Sequence, residues 1–199
     1  MTIPTLLTPM KYVLVRHSSG ASYNVILPGS IAIILTVGLT VWPGHAVIAG
    51  EKGYLPQLQN LMTILGGFFV AALTLITTNQ NPVLLNPVGG ISPPTLAGET
   101  KPLSRRRFLA YLFGYLAFSS FGLVCLSIAA NLIAPAIGAV VSTEAKWWLK
   151  LGFLAIYNFW LGHVAVATLL GLFYFTERLQ IADPVVKAAK PSGRPTPAE

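Results

Sequence analysis

The sequence predicts an all-α membrane protein, a four-helix transmembrane bundle with both termini in the cytoplasm (N-in/C-in), and three observations predict it. Only 10% of the 199 residues are charged and 54% are hydrophobic. A soluble domain carries roughly 25% charged residues, so this chain lacks the polar surface to cover itself in water. Four charge-poor apolar runs approach or exceed the roughly 20 residues a helix needs to cross a bilayer. The basic residues gather on alternate connections, as they do when one side of a membrane retains them.

Residues 1–25 form an N-terminal tail carrying Lys11, Arg16 and His17, whose apolar patch Tyr12–Val15 is too short to span. No small-residue cleavage site follows a long apolar core, so no removable signal peptide is expected. The membrane domain covers 26–178. Its first span, about 27–48, opens at Leu27-Pro28-Gly29-Ser30, where the missing proline N–H costs little. Pro43-Gly44 ends or kinks it. The second, about 60–78, runs without a charge between Asn60 and Asn79, and about 18 residues at 1.5 Å each cross most of a roughly 30 Å core.

The third segment is longer than one crossing needs. No charge interrupts Phe108–Thr143, so the expectation is a helix over about 107–132, with Asn131 and Pro135 marking a change. Ile133–Val141 would then be a short non-polar excursion on the far side, a tilted or re-entrant piece being the alternative. The fourth span, about 149–176, is closed by Glu177-Arg178, and its length suggests tilt or projection into the headgroups. The tail 179–199 is rich in Pro, Gly and Ser and cannot bury enough apolar surface to fold.

Orientation follows from charge. Lys11 and Arg16 in the N-tail, Lys101, Arg105, Arg106 and Arg107 in the connection 79–106, and Arg178, Lys187, Lys190 and Arg194 at the C-terminal end share one side. They are ten of the thirteen basic residues; only Lys52, Lys146 and Lys150 fall on the other side. That places both termini and the 79–106 loop inside, in a cell inner membrane. Trp42, Tyr54, Trp147 and Trp148 then mark the outer boundary, and Phe108, Tyr111, Phe173 and Tyr174 the inner one, the belts expected where amphipathic rings meet headgroups.

Four features are candidates for function. The loop Asn79–Ser104 contains Asn81-Pro82, Asn86-Pro87, Pro93-Pro94 and Pro102, so it forms neither helix nor strand over any length. It is either a docking surface for a soluble partner or a plain tether. Lys101, Arg105, Arg106 and Arg107 lie directly before the third span. They suit contact with a partner or with anionic lipid, worth about 1 kcal/mol per residue near the surface. Without an aromatic platform facing water they do not point to direct nucleic-acid binding. Asn158 and His163 place polar groups inside the fourth span, where an ionisable side chain is a functional candidate by default. No other span supplies a mid-membrane charge, so a neutral His163 bonded to a neighbouring helix is the simpler reading. The small-residue pairs Ala110/Gly114 and Ala167/Gly171, and the patch Gly66-Gly67 with Ala71, would let helices approach closely within one chain or between subunits of a homo-oligomer.

Enzyme motifs are missing: no Gly-rich phosphate loop, no Gly-x-Ser-x-Gly, no His-Glu-x-x-His. Three scattered histidines and six carboxylates outside the spans give no metal or cofactor site. Cys125, the one cysteine, excludes an intramolecular disulfide and reads as a small buried packing residue.

The stretch Leu103–Ser120, LSRRRFLAYLFGYLAFSS, following a Pro-rich loop, resembles small four-span bacterial inner-membrane proteins of anti-phage defence operons, among them the membrane subunit of Kiwa-type systems. The resemblance implies an oligomeric membrane sensor that holds a soluble cytoplasmic, DNA-acting partner. The expected function is therefore a non-enzymatic scaffold or sensor that oligomerises in the bilayer and presents its loop to that partner. The alternative is a small channel or membrane-perturbing effector, its intersubunit pore lined by Asn158 and His163.

Overall fold

A computed structural model describes residues 5–16, 22–41, 47–50, 52–88 and 93–178. His17, Trp42, His45 and the tail 179–199 lie outside them. Helix α1 is Leu27–Val41, entered through a π-turn at Ser22–Ile26; α2 is Tyr54–Thr78, α3 Arg105–Val140 and α4 Thr143–Phe173, continued as a π-turn to Arg178. The stretches Ser22–Val41, Tyr54–Thr78, Arg105–Val140 and Thr143–Thr176 are each long and apolar enough to cross a bilayer. The chain is a multi-pass, all-α membrane protein with four such helices among the described residues.

The third segment differs from expectation. Helix α3 runs unbroken through Pro135 to Val140, so Ile133–Val141 is not an excursion. Pro135 removes only the hydrogen bond its own nitrogen would have given four residues back. Unwinding the segment would strand many more backbone groups in a setting without water. At 1.5 Å per residue α3 is about 54 Å long, well beyond one hydrocarbon core. Only Val141 and Ser142 separate it from α4, with the Lys146 amide donating to the Ser142 carbonyl at 2.9 Å. Helix α4 therefore starts at Thr143 and α2 at Tyr54, several residues earlier than charge and polarity alone suggest.

The α3–α4 hairpin is the axis of the fold; α2 lies along α3 and α1 along α4. On α2 the buried residues Leu55, Met62, Gly66, Phe69, Ala72 and Ile76 fall at helical spacing on one stripe. That stripe joins a core with Leu109, Leu112, Phe113 and Leu116 of α3. Ile33, Ile34 and Val37 of α1 and Ile64, Phe68 and Leu75 of α2 face outward, as lipid-facing positions do. Cys125 is exposed too: it sits on the outer side of α3, correcting its reading as a buried packing residue.

The small-residue pairs are largely used within the chain. Gly171 faces Leu112 and Phe113, Gly66 faces Ser120, and Gly114 faces Pro9. The tightest backbone approach between two helices among the described residues is that of α1 to α4: a Cβ on Gly162 would stand 2.9 Å from the Pro28 carbonyl oxygen and 3.2 Å from its Cα. Only glycine lets these two backbones approach so closely, whereas Gly38 has nothing within 4 Å of its Cβ position. Gly162→Ala is accordingly expected to cost about 1–3 kcal/mol, the usual range for overpacking, and Gly38→Ala to be neutral or stabilising. Reversible unfolding in mixed micelles measures both; equal stability of the two variants would show the α1–α4 approach to be non-critical.

Candidate functional site

At the end of the bundle where α2 ends and α3 begins, the loop and the N-terminal segment fold together. The segment Thr5–Leu14 forms a 3-10 helix leading into strand β1, Val15–Arg16, which pairs antiparallel with β2, Thr95–Leu96. Val15 stands opposite Leu96 and Arg16 opposite Thr95, and the Ala97 amide donates to the Leu14 carbonyl at 3.1 Å. Tyr12, buried, stacks on Tyr115 with ring centroids 5.2 Å apart and meets Phe108 at 6.4 Å. Burial pushes its phenol well above the ordinary tyrosine range, which keeps it neutral where it plugs the bundle. The patch Tyr12–Val15, too short to span, is thus an anchor.

The loop is ordered by its own backbone. Asn81 caps a 3-10 turn at Pro82–Leu85, its side chain accepting from the Val83 amide at 3.0 Å. The Val88 amide donates to Leu103, the Leu103 amide to Pro94 and the Arg105 amide to Asn86. Leu96 to Glu99 form a turn closed by a 2.9 Å bond, with Gly98 at φ +92°. Positive φ at the third turn position suits glycine, as in type II turns. Among the described residues, regular structure in the loop is limited to this 3-10 turn and the two residues of β2, joined by these backbone hydrogen bonds.

The four basic residues have separate fates. Lys101 is exposed. Arg105 is only 6% exposed. Arg106 donates to the Thr77 carbonyl in the last turn of α2, where a cation meets the negative end of the helix. Arg107 grips Glu99 through two 2.7 Å bonds, donates to the Tyr111 hydroxyl at 3.2 Å and lies over that ring. Ser104 caps the helix, its hydroxyl accepting from the Arg107 amide at 3.3 Å. Arg107 therefore fastens the loop to α3 while Arg106 joins α3 to α2, and the exposed residues at this end include Val13, Leu14, Leu85, Glu99 and Lys101.

The intramembrane polar residues point inward. Asn158 is fully buried: its Nδ2 donates to the Thr36 hydroxyl at 3.0 Å and its Oδ1 accepts from the Tyr54 hydroxyl at 2.7 Å, tying α4 to α1 and α2. His163, 7% exposed, shares a 2.8 Å hydrogen bond with the Tyr115 hydroxyl through Nδ1. Ser127 and Tyr157 make a third pair at 2.7 Å. Asn158 and His163 are thus bonded within one chain rather than presented on its outer surface. No group of three His, Cys, Asp or Glu side chains suited to a metal ion occurs among the described residues.

Sequence reasoning missed Tyr12, Val15, Gly98 and Glu99. A signal existed for the last: Glu99 is the only acid between Lys52 and Glu144, placed beside a run of arginines. The bond to Arg107 holds its carboxyl below the usual carboxylate range. A lowered folded-state value means that the interaction is complete above the ordinary range and is lost as pH falls through the lowered value. An NMR titration of the Glu99 carboxyl should show a depressed midpoint that returns to the ordinary range in Arg107→Gln; an unchanged midpoint would show that the pair does not form in solution. Within the membrane, Tyr54→Phe removes one hydrogen bond and should cost about 0.6 kcal/mol, the average for polar contacts between transmembrane helices, with Asn158→Leu costing more because it removes two. Unfolding in mixed micelles checks that order.

No family model, curated protein or solved structure matches this chain.

Proposed function

We propose that the protein is a non-enzymatic scaffold or sensor of a bacterial inner membrane, with both termini cytoplasmic, that self-associates and presents its folded loop layer to a soluble cytoplasmic protein. One observation carries this reading. The described residues of the loop are joined to the N-terminal segment by β1–β2 pairing and to α3 by the Arg107–Glu99 pair, which supports a defined surface rather than a plain tether. Val13, Leu14 and Leu85 stand exposed at this end of the bundle, as do Lys101 and Glu99, and exposed apolar side chains in polar surroundings are the kind that bind partners. The gathering of basic residues at this end supports the cytoplasmic orientation. Gly67 and Ala71 remain on the outer face of α2, and a small-residue pair in that place supports self-association. The resemblance in Leu103–Ser120 supports a setting in anti-phage defence.

Val13→Asp combined with Leu85→Asp tests the docking surface. Cross-linking in native membranes should capture a soluble protein with the wild-type chain and lose it with the double variant, while helical content and insertion stay unchanged. Capture unaffected by both substitutions would place docking elsewhere. In a Cys125→Ser background, Thr100→Cys should react with a membrane-impermeant maleimide only after the inner membrane is opened, and reaction in intact cells would reverse the orientation.

A further inference from the structure

At the opposite end of the bundle the α3–α4 hairpin outruns its neighbours. The connection before α2 is held to α3 at Asn131, whose Oδ1 accepts from the Gly50 amide at 3.2 Å, and α3 continues nine residues further, to Val140. At 1.5 Å per residue that is a projection of about 14 Å. In the wedge between this projection and the α2 connection lies a crevice of about 530 Å³. Its cause is in the sequence: Ala130, Ala134 and Gly138, four residues apart along α3, line it and leave the space unfilled, with Leu55 and Phe153 among the larger walls. Folded interiors hold few voids larger than a water molecule, and an apolar cavity stays dry. A space this size falls in the range of small-molecule sites, roughly 300–1,000 Å³.

Two further observations define the occupant. The lining residues Ile133 and Leu149 are themselves 52% and 51% exposed, so the crevice opens onto the outer surface of the helices, where acyl chains are. Lys146 and Lys150, one helical turn apart on α4, are the only charged residues of the lining among the described residues. The exposed pair Trp147 and Trp148 beside them sets this turn at headgroup depth. Apolar depth with a doubly cationic rim is complementary to one class of molecule.

We propose that this crevice binds an anionic phospholipid of the surrounding bilayer, with an acyl chain against Ala130, Ala134 and Gly138 and the phosphate between Lys146 and Lys150. The site is separate from the loop layer and does not depend on how that layer functions. The lipid would complete the packing of the hairpin tip and make its position sensitive to membrane composition.

Native mass spectrometry of the full chain, released from nanodiscs of mixed phosphatidylglycerol and phosphatidylcholine, tests the site. The wild type should retain phosphatidylglycerol selectively. Near a membrane surface each lysine contributes about fivefold to anionic-lipid binding, so Lys146→Gln with Lys150→Gln should lower that selectivity by about 30-fold. Ala134→Trp, which fills the crevice, should abolish retention of either lipid there while leaving helical content unchanged. Lys52→Gln, a cation at the same end outside the crevice, should lower selectivity by no more than the general share of about fivefold; a loss as large as that of the double variant would reduce the effect to general membrane electrostatics and overturn the proposal. It would equally be overturned if Ala134→Trp left lipid retention intact, or if it converted a dimer into a monomer, which would make a second copy of the chain the occupant.

Discussion

In hydrocarbon a polar group must find its partner within the protein, and the arrangement of these helices follows from how Asn158 meets that demand. Its amide has one donor directed at α1 and one acceptor directed at α2. The bonds through Thr36 and Tyr54 thus bring the two outer helices into register with α4. Apolar side chains alone would allow α1 and α2 to slide, because lipid tails are as good a surrounding as another leucine. The close approach at Gly162 fixes α1 along the same helix one turn further on, so polar pairing and backbone contact specify the same alignment.

A second demand acts at the interface, where three adjacent arginines precede α3. Each would be well solvated if the loop were free. Instead one is buried, one meets the end of α2 and one holds Glu99. An exposed ion pair contributes little by itself. Here the pair works with the Gly98 turn and the β1–β2 ladder, several weak restraints that agree with one another.

The four helices were legible in the sequence because length and charge are properties of single segments, and a bilayer imposes both. Helix limits were less so: Asn131 and Pro135 look like breaks, yet α3 continues through both and only Val141 and Ser142 separate it from α4. Proline's local penalty is visible in a sequence, while the larger penalty of unwinding in an apolar setting is not. The candidate loop was found, but its order was hidden. Tyr12 and Val15 find their partners at Tyr115 and Leu96, and no local pattern announces a contact across that many residues. Cys125 shows the same limit from the other side. An apolar neighbourhood in the chain says that a residue is in the membrane, without saying whether it faces protein or lipid.

The pairing of Val15 with Leu96 also orders events during synthesis. The two strands are about 80 residues apart, and at roughly 5–20 residues per second the ribosome needs about 4–16 s to supply the second after the first. During that interval α1 and α2 are made while the amino-terminal anchor has no binding site. Tyr12 and Val15 then depend on the bilayer surface or on a chaperone for cover. The layer at this end of the bundle consequently cannot close until β2 and the start of α3 have been made, and the packing of α1 on α4 must come later still.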